Sequence, residues 1–462
     1  MKKNRLYLPL TLTAATALVV ALGAPADASS LRHAPSPHAA ATREALTTKA
    51  PYEPLGNPRS YQKAPAGFTP VFTENVSRHG ERTLSDSDDG DALLALWQSA
   101  QAQGALTRTG KSLGPDIMTL LAANAKVGYG LLTQSGVDDL EGTARRMEQR
   151  LPGLFAAAAS SNTQKIDVVA ASQQRTVDSA NDFVKGLESI NPKLAAVTGA
   201  TRTDDDLLYF HKSKTDPDSL AYQAYLKTAP VADAEAAVRD QPKTHRLARE
   251  VLLRSFTPAF VDQIAAGDFA SFGDEIDAAD AVYSLWQVTA DLPDEGHWNF
   301  GKYISTDEAS WFGYLDDVTS FYENGPAFSG SDVTYKMADV LLDDMFASLD
   351  AKANGTSRLA AELRFTHAEE IFPLASLLGL PGSTKQLPVG TEFTYGDSAF
   401  RGAQVAPMGA NIQWDLFKKG NTYLVRMLYN EKQTAFKAGC TPIAKGSYFY
   451  SLSELESCYA VK

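Results

Sequence analysis

Residues 68–83 have the sequence FTPVFTENVSRHGERT. Aromatic and β-branched residues from Phe68 to Val76 predict a strand, and the polar string Arg78-His79-Gly80-Glu81-Arg82 follows that strand directly. In open α/β sheets, ligands bind beyond the carboxyl ends of the strands. The planar guanidinium group of arginine binds phosphate bidentately, and Gly80 allows the backbone to approach a ligand. This stretch therefore predicts an anion site at the end of a sheet strand.

His79 is the residue of this string that can carry out chemistry. Nearby positive charges disfavour the imidazolium form, so we expect a neutral imidazole, which is a nucleophile when it lies beside a bound phosphate. An isolated Arg-His-Gly sequence is equally compatible with a solvated turn that contains a capping histidine. The complete five-residue string directly after a strand favours the functional site.

Strand and helix patterns alternate along the residues that follow. Apolar residues recur at helical spacing from about Asp91, over Leu140–Leu151 and over Val177–Leu187, and a short apolar strand covers Ile166–Ala170. This alternation predicts βα units. The fold class that we expect is therefore α/β, with a mostly parallel central sheet flanked by helices.

The chain changes character between residues 200 and 350. Acidic clusters appear there, helical patterns dominate and strand signals are weak, which predicts an inserted, mostly α-helical cap. After it, Ala361–Phe365 has strand alternation, Ile371–Leu378 has a helical stripe, and Ile412–Tyr429 has the pattern of a hairpin. We therefore assign residues 59–199 and 351–462 to the α/β core and residues 200–350 to the cap.

The first 58 residues are expected to lie outside that core. Lys2, Lys3 and Arg5 precede an apolar stretch, and Ala26-Asp27-Ala28 is a small-residue cleavage site, so residues 1–28 are predicted to be a secretory signal peptide. A membrane anchor is the alternative, but Pro9 interrupts the apolar stretch, which is short for a membrane span. Residues 29–58, rich in Ala, Ser, Thr and Pro, are predicted to form a flexible leader.

Composition excludes several classes of function. The 462 residues are 44% hydrophobic and carry a formal net charge of -12, which is typical of a globular, acidic protein. Such a charge disfavours nonspecific binding to nucleic acid and docking on anionic membranes. We expect a monomer whose partner is a small molecule, with no nucleic acid and no membrane anchor. Cys440 and Cys458 predict one disulfide in an exported chain, with two free thiols as the alternative.

A second polar string lies at another predicted junction of strand and helix, Phe365-Thr366-His367-Ala368-Glu369. His367 can donate to a phosphate oxygen at the helix N-terminus. Glu369 lies in the first helical turn, where a partly desolvated carboxylic acid can keep its proton and donate it to a leaving oxygen. For the neighbouring Glu370 we prefer the role of a helix-capping acid.

Arg175 follows the strand Ile166–Ala170 and would complete the anion pocket, although its position alone favours a solvated arginine. The remaining histidines have no metal-ligand spacing; they are His33, His38, His211, His245 and His297. The chain contains neither a phosphate-binding P-loop sequence nor a dinucleotide fingerprint. We therefore expect chemistry that needs no cofactor and no metal.

These strings match a known family. Arg78–Arg82 resembles the R-H-G-x-R signature of the histidine acid phosphatases, and His367-Ala368-Glu369 resembles the distal motif of their multiple inositol polyphosphate phosphatase branch. Ser172–Thr176, followed by Ser179 and Phe183, is similar to the second arginine motif of that branch, and Val425–Glu431 is similar to its C-terminal strand. The sequence departs from the family at Leu84, where the longer signature has proline, and at Ser213, where some relatives have cysteine.

The resemblance implies a phosphoglycerate-mutase-like core and a phosphatase mechanism. His79 would attack phosphorus to form a phosphohistidine, and Glu369 would protonate the leaving alcohol. The phosphoryl oxygens would be held by Arg78, Arg82, Arg175 and His367. Phytate (inositol hexakisphosphate) and other inositol polyphosphates would be the substrates, and the lysines that could line a funnel for these polyanions are Lys212, Lys214 and Lys302.

Two other functions remain open at this point. One is a broad-specificity acid phosphatase that acts on small phosphomonoesters. The other is a noncatalytic exported protein that binds phosphate and has no need of His79 as a nucleophile. A secreted phytase-type phosphatase is the prediction that accounts for both polar strings.

Overall fold

The computed structural model describes residues 37–161 and 163–460. The predicted signal peptide, residues 1–28, lies outside the described residues. One eight-stranded mixed sheet runs through the described part of the chain, in the order β3-β2-β4-β1-β5-β6-β7, with β8 paired to β6. The strands are β1 (Thr69–Arg78), β2 (Lys165–Ala170), β3 (Arg202–Thr203), β4 (Leu359–Thr366), β5 (Asn411–Lys419), β6 (Thr422–Tyr429), β7 (Lys432–Thr434) and β8 (Phe449–Ser451).

Helices cover the sheet and form a separate layer beside it. The α-helices are α1 (Pro37–Ala45), α2 (Asp88–Ala102), α3 (Leu113–Val127), α4 (Gln134–Arg150), α5 (Pro152–Ala159), α6 (Gln174–Ile190), α7 (Asp205–Leu208), α8 (Pro217–Tyr225), α9 (Ala229–Arg239), α10 (Pro242–Leu253), α11 (Pro258–Ala265), α12 (Glu275–Val288), α13 (Thr306–Glu323), α14 (Asp339–Ala353), α15 (Ala368–Leu377), α16 (Gly402–Val405) and α17 (Leu452–Tyr459). The short 3-10 helices are Thr47–Lys49, Pro58–Ser60, Gly110–Ser112, Pro192–Ala196, Phe210–Lys212, Thr289–Asp291, Phe300–Lys302 and Lys336–Ala338. Among the described residues, no helix is long and apolar enough to cross a membrane.

The sheet has a parallel half and an antiparallel half that meet at β1. Strands β3, β2, β4 and β1 are parallel neighbours, whereas β5 pairs antiparallel with β1 and forms the expected hairpin with β6. The expected α/β class with flanking helices is confirmed. The carboxyl ends of the parallel strands share one edge of the sheet, and the residues that follow β1, β2 and β4 therefore meet there.

The helical layer begins earlier in the chain than the sequence indicated. The apolar faces of α2 and α3, through residues such as Leu96 and Ile117, belong to the same buried cluster as α10, α11 and α12. The predicted division placed α2 and α3 in the α/β core, because an amphipathic stripe shows that a helix packs on something but does not show on what. In the described residues, this buried cluster is therefore built from three separate stretches of the chain: Ala45 of α1, the helices α2 and α3, and residues 248–312.

The N-terminal segment is also ordered, and the predicted flexible leader over residues 29–58 is wrong from residue 37 onward. Ala45, Leu46 and Ala50 are buried, and the hydroxyl of Tyr52 donates to Glu431 over 2.8 Å. A proline- and alanine-rich composition is typical of linkers. In this protein, the segment packs against residues that lie hundreds of positions away along the chain. Composition carries no information on such contacts.

The C-terminal residues contain the one predicted cross-link. Cys440 and Cys458 form a disulfide, which confirms that prediction. The bridge joins the loop after β7 to the last turns of α17, and Cys440 itself is buried. In the chain-entropy picture, closing a loop of this size stabilises the folded state by roughly 3 kcal/mol.

A buried ion cluster supports the strand that leads into the second motif. Arg364 on β4 is fully buried, and it donates to Glu74 over 2.9 Å and to Asp344 over 2.6 Å. Glu362 lies 3.2 Å from the same guanidinium group. Burial raises the pKa of Glu74 to about 8, against the opposing charge of Arg364. The cluster therefore depends on the arginine to keep its carboxylates paired.

We expect Arg364→Met to destabilise the protein by about 3–5 kcal/mol, because it leaves buried carboxylates without their partner. Urea denaturation followed by circular dichroism measures this free energy of unfolding. Arg202→Met is the matched control, because Arg202 pairs with Asp167 at the surface and its loss is expected to cost less than about 1 kcal/mol. Equal losses in the two variants would contradict this prediction.

Candidate active site

The site lies at the carboxyl ends of β1, β2 and β4. Arg78, the last residue of β1, is opposite Thr366 in the sheet register, and the backbone N–H of His79 donates to the Thr366 carbonyl over 2.9 Å. His79 and His367 therefore leave adjacent strands side by side, with ring centroids 5.5 Å apart. The two polar strings identified in the sequence are thus brought together.

Gly80 is required at this junction for a reason that the sequence did not reveal. A Cβ atom at Gly80 would lie 2.7 Å from the carbonyl oxygen of Gly136, and one at Gly136 would lie 2.4 Å from the Glu81 carbonyl oxygen. The two glycines therefore allow the first turn of α4 to pack directly on the backbone of the motif. This contact with α4 is a second reason for glycine at position 80, and the close approach to a ligand stays a prediction.

The imidazole of His79 is buried and oriented. Its Nδ1 lies 2.9 Å from the Gly80 carbonyl oxygen, which can only accept, so Nδ1 carries the hydrogen and Nε2 keeps its lone pair. Burial first, and then the charges of Arg78, His367, Arg175 and Arg82, lower the pKa of His79 well below its ordinary value. The ring is therefore neutral, and Nε2 is the nitrogen available for attack.

Three guanidinium groups lie close enough to this ring to lower its pKa, those of Arg78, Arg82 and Arg175. Backbone oxygens hold the first two of them in position. Arg78 donates to the Thr48 carbonyl over 2.5 Å and to the Ala406 carbonyl over 2.7 Å, and Arg82 donates to the Thr83 carbonyl over 2.7 Å. Burial lowers the pKa of Arg78 and of Arg82 to about 10 in each case.

Among the described residues, these arginines keep donors that have no partner. The buried Nε atoms without a hydrogen-bond partner include those of Arg78, Arg82 and Arg175. Leaving a buried charged donor unpaired costs free energy, and three guanidiniums of one sign in a small volume also repel one another. A bound anion would satisfy the free donors and offset this repulsion, so these three arginines form a candidate anion site.

His367 is held by the arginine that follows β2. Its Nδ1 accepts from Nη2 of Arg175 over 3.2 Å, so its Nε2 carries the hydrogen and donates to the side-chain oxygen of Gln173 over 3.1 Å. Burial first, and then the charge of Arg175, lower the pKa of His367 to about 3. The ring is therefore neutral, and both of its nitrogens are held by residues of the segment that follows β2.

Glu369 lies in the first turn of α15, close enough to His211 and His367 for their charges to act on its carboxyl. Burial by itself raises the pKa of the Glu369 carboxyl. His211, the backbone N–H of Glu369, His367 and Arg78 together outweigh burial and hold the pKa below its ordinary value. The expectation that desolvation keeps this acid protonated is therefore wrong for the ligand-free protein, because the positive surroundings have the larger effect.

Three residues of the site were not identified from the sequence. Glu370, expected to cap a helix, is fully buried and forms a close pair with Nδ1 of His211. Tyr209 packs against both histidine rings, 4.7 Å from His211 and 5.1 Å from His367 between centroids. His211 was set aside because it lacked metal-ligand spacing; its position two residues after Tyr209 gave no sign that it would meet α15.

The three predicted lysines do not form one group. Lys212, the residue directly after His211, is exposed, and so is Lys214 in the loop that follows. Lys302 pairs with Asp116 of α3 over 2.6 Å and lies above the ring of Tyr303, so this lysine is engaged within the helical layer. The described residues contain no cluster of three or more His, Cys, Asp or Glu side chains suited to a metal ion.

Comparisons with known proteins agree with this geometry. The family model of the histidine phosphatase superfamily (branch 2) matches residues 72–430. Multiple inositol polyphosphate phosphatase 1 of Gallus gallus is 25% identical over 407 residues, which is 83% of this chain and 81% of the relative. The human protein of the same name is 24% identical over 399 residues, which is 79% of this chain and 74% of that protein.

Solved structures of phosphatases are also similar to this chain. Multiple inositol polyphosphate phosphatase of Bifidobacterium longum in complex with inositol hexasulfate is 31% identical with a TM-score of 0.85, covering 90% of this chain and 97% of that chain. The same enzyme in complex with phosphate has a TM-score of 0.86 and 30% identity, with the same coverage. The phytase from D. castellii, 19% identical with a TM-score of 0.65 over 96% of this chain and 89% of that chain, shares the fold. The chain therefore belongs to branch 2 of the histidine phosphatase superfamily, as a phosphomonoesterase similar to the multiple inositol polyphosphate phosphatases.

Proposed function

We propose that the protein hydrolyses inositol polyphosphates, with phytate as the leading substrate, through a phosphohistidine intermediate on His79. The observation that carries this proposal is the neutral, oriented imidazole of His79 among three guanidiniums whose buried Nε atoms lack partners. The resemblance to an enzyme solved with inositol hexasulfate supports the choice of substrate class.

In the first step, the lone pair of His79 Nε2 attacks phosphorus and the bond from phosphorus to the ester oxygen breaks. Arg78, Arg82 and Arg175 hold the nonbridging oxygens as their charge redistributes. The N–H of His367 becomes a further donor when a phosphate oxygen replaces Gln173 as its acceptor. The leaving alkoxide takes a proton from Glu369, which lies beside His367 in the first turn of α15.

In the second step, a water molecule attacks the phosphorus of the phosphohistidine. The ionised carboxyl of Glu369 accepts a proton from this water, the bond from phosphorus to nitrogen breaks, and inorganic phosphate leaves. The two steps together restore the neutral imidazole and the protonated acid. This sequence needs no metal ion among its participants.

Electrostatics favour this reaction at acid pH. Glu369 must be protonated to act as the donor, and its pKa lies below the ordinary value in the ligand-free protein, so the active form is lost as pH rises. The pKa of His79 is also lowered, so its imidazole stays unprotonated, and therefore nucleophilic, well into the acid range. Bound phosphate groups add negative charge beside Glu369 and raise its pKa toward the working pH.

The direct test is release of inorganic phosphate from inositol hexakisphosphate across pH, with glycerol phosphate as a simple monoester for comparison. We expect release with a profile that falls toward alkaline pH and a higher kcat/KM on the inositol ester. A higher kcat/KM on the simple monoester would instead support a broad-specificity acid phosphatase. Tight binding of phosphate without release from either ester would support a noncatalytic binding protein.

We also propose that the protein is exported. The disulfide between Cys440 and Cys458 supports this, because such bonds persist in oxidising compartments. Mass spectrometry of protein recovered from the culture medium tests it, with Ser29 expected as the first residue. A chain that keeps residues 1–28 inside the cell would contradict export.

A further inference from the structure

A short turn near the N-terminus is joined directly to the His79 motif. The carbonyl of Thr48 accepts from Nη1 of Arg78 over 2.5 Å, and the carbonyl of Ala50 accepts from the Met408 N–H over 3.0 Å. The next residue, Gly409, donates its N–H to the His79 carbonyl over 2.9 Å. These two carbonyls belong to the residues before and after Lys49, so the backbone on both sides of Lys49 is held against the motif.

The turn is strained, and the helical layer holds it in place. Thr47 has a φ of +48°, a conformation that β-branched residues rarely adopt. Gln287 of α12 donates to the Leu46 carbonyl and to Thr47 Oγ1, both over 3.1 Å, and Tyr283 donates to the Ala45 carbonyl over 2.9 Å. Backbone strain persists only where surrounding contacts over-determine it, and such positions cluster at functional sites.

The side chain of Lys49 is half-buried among charges of both signs. Burial first, and then the charge of Arg82, lower its pKa well below the ordinary value; Arg78 acts in the same direction, while Asp291 and Asp316 oppose it. Lys49 therefore shares its surroundings with two of the three arginines that form the anion pocket.

Asp291 faces the same cations and has free hydrogen-bonding capacity. It is fully buried, and within the described residues neither of its carboxyl oxygens has a hydrogen-bond partner. Burial raises its pKa to about 7, although Lys49, Arg82 and Arg78 lower it. A buried carboxyl without a partner is a group whose hydrogen bonds a water molecule or a ligand could complete.

We propose that Lys49 is a substrate-binding residue that holds a phosphate group of inositol polyphosphates next to the phosphate attacked by His79. This inference rests on the proposed function. The three arginines and His367 already supply donors for the attacked group, and an ammonium group on the adjoining turn supplies a further one. Lysine binds phosphate as a compact point charge, without the fixed geometry of a guanidinium.

The surroundings of Lys49 also favour substrates that carry several phosphates. Burial and the adjacent arginines disfavour the ammonium form of Lys49, and a bound anion favours it. A substrate with several phosphates places more negative charge near Lys49 than a simple monoester does. Lys49 should therefore contribute to the affinity for inositol polyphosphates and little to that for glycerol phosphate.

Steady-state kinetics of Lys49→Met test this role. We expect KM for inositol hexakisphosphate to rise about tenfold or more, the loss typical of a charge-assisted hydrogen bond, with kcat changed less than about threefold and KM for glycerol phosphate nearly unchanged. Lys126→Met, on the exposed last turn of α3, is the control and should match the wild type. An unchanged KM for inositol hexakisphosphate, or equal losses on both substrates, would overturn the proposal.

A binding measurement separates this role from a structural one. Calorimetry with inositol hexasulfate, in two buffers of different ionisation enthalpy, measures the protons taken up on binding. Wild type should take up more protons than Lys49→Arg, which keeps its charge throughout and should retain affinity, whereas Lys49→Met should bind more weakly. Equal proton uptake in wild type and Lys49→Arg would overturn the proposal.

The kinetic and binding measurements also distinguish a failure of the proposed function from a failure of the role proposed for Lys49. If the wild type releases no phosphate from inositol hexakisphosphate, the proposed function fails, and hexasulfate binding still decides whether Lys49 contacts a polyanion. If the wild type is active and Lys49→Met matches it in KM and affinity, only the inference about Lys49 fails. Melting curves of the variants identify any loss that is due to unfolding.

Discussion

Replacing His79 with alanine should reduce phosphate release from inositol hexakisphosphate by a factor on the order of 10⁴ or more, the loss expected when a covalent nucleophile is removed. The lowered pKa of His79 and the hydrogen bond of Nδ1 to Gly80 prepare Nε2 for attack. No described neighbour replaces it, because the Nδ1 of His367 accepts from Arg175 and its Nε2 donates to Gln173.

The measurement is single-turnover release with ³²P-labelled substrate, followed by alkaline quench, because phosphohistidine survives base and breaks down in acid. Wild type should show label on the protein at short times, and His79→Ala should show none. His79→Ala should still bind phosphate, since the arginines remain, and calorimetry checks this. Substantial turnover in the variant, or label retained on another residue, would contradict the assignment of His79.

The elements that bear the site could be predicted from local sequence. The strand before Arg78 and the strand before His367 have short-range signals, and the strand-to-helix junctions place both motifs at one edge of a parallel sheet. The register that sets His79 beside His367 follows from those same strands. The cysteine pair was also predictable, because the chain contains no other partner for either residue.

The contacts that complete the site could not be predicted in the same way. His211 pairs with Glu370, and Thr48 contacts Arg78, through partners that are far apart along the chain. Neither residue pair has a periodic pattern or a fixed spacing. The segment with Lys49 resembles a linker in composition, and only the packing of α12 and α16 around it reveals its order.

The ionisation state of Glu369 is the clearest case of a property that depends on three-dimensional surroundings. From the sequence, desolvation alone predicted a raised pKa. In the structure, His211 and Arg78, from two other parts of the chain, are among the groups that outweigh burial and lower it. The direction of the shift was therefore decided by side chains whose positions the sequence did not specify.

Glu369→Gln should lower kcat on inositol hexakisphosphate by roughly 10²–10⁴-fold, the usual contribution of a general acid. The amide keeps the size of the side chain but has no proton to give. The first step with an aryl phosphate, measured as the initial burst of phenol release, should be slowed much less, because this leaving group needs little protonation. This contrast between substrates distinguishes a missing proton donor from a damaged pocket, which would slow both esters alike.

The pH profile gives the sharper test. The acid acts when protonated, so kcat/KM, which reports the free enzyme, should fall by tenfold per pH unit above the lowered pKa of Glu369. The corresponding fall in kcat should occur at higher pH, because the bound phosphates raise that pKa. Both falls should disappear in Glu369→Gln and persist in Glu370→Gln, whose carboxyl pairs with His211. If the profile of Glu369→Gln kept the wild-type shape, the proton would have to come from another group, and the buried, unpaired Asp291 would be the next residue to test.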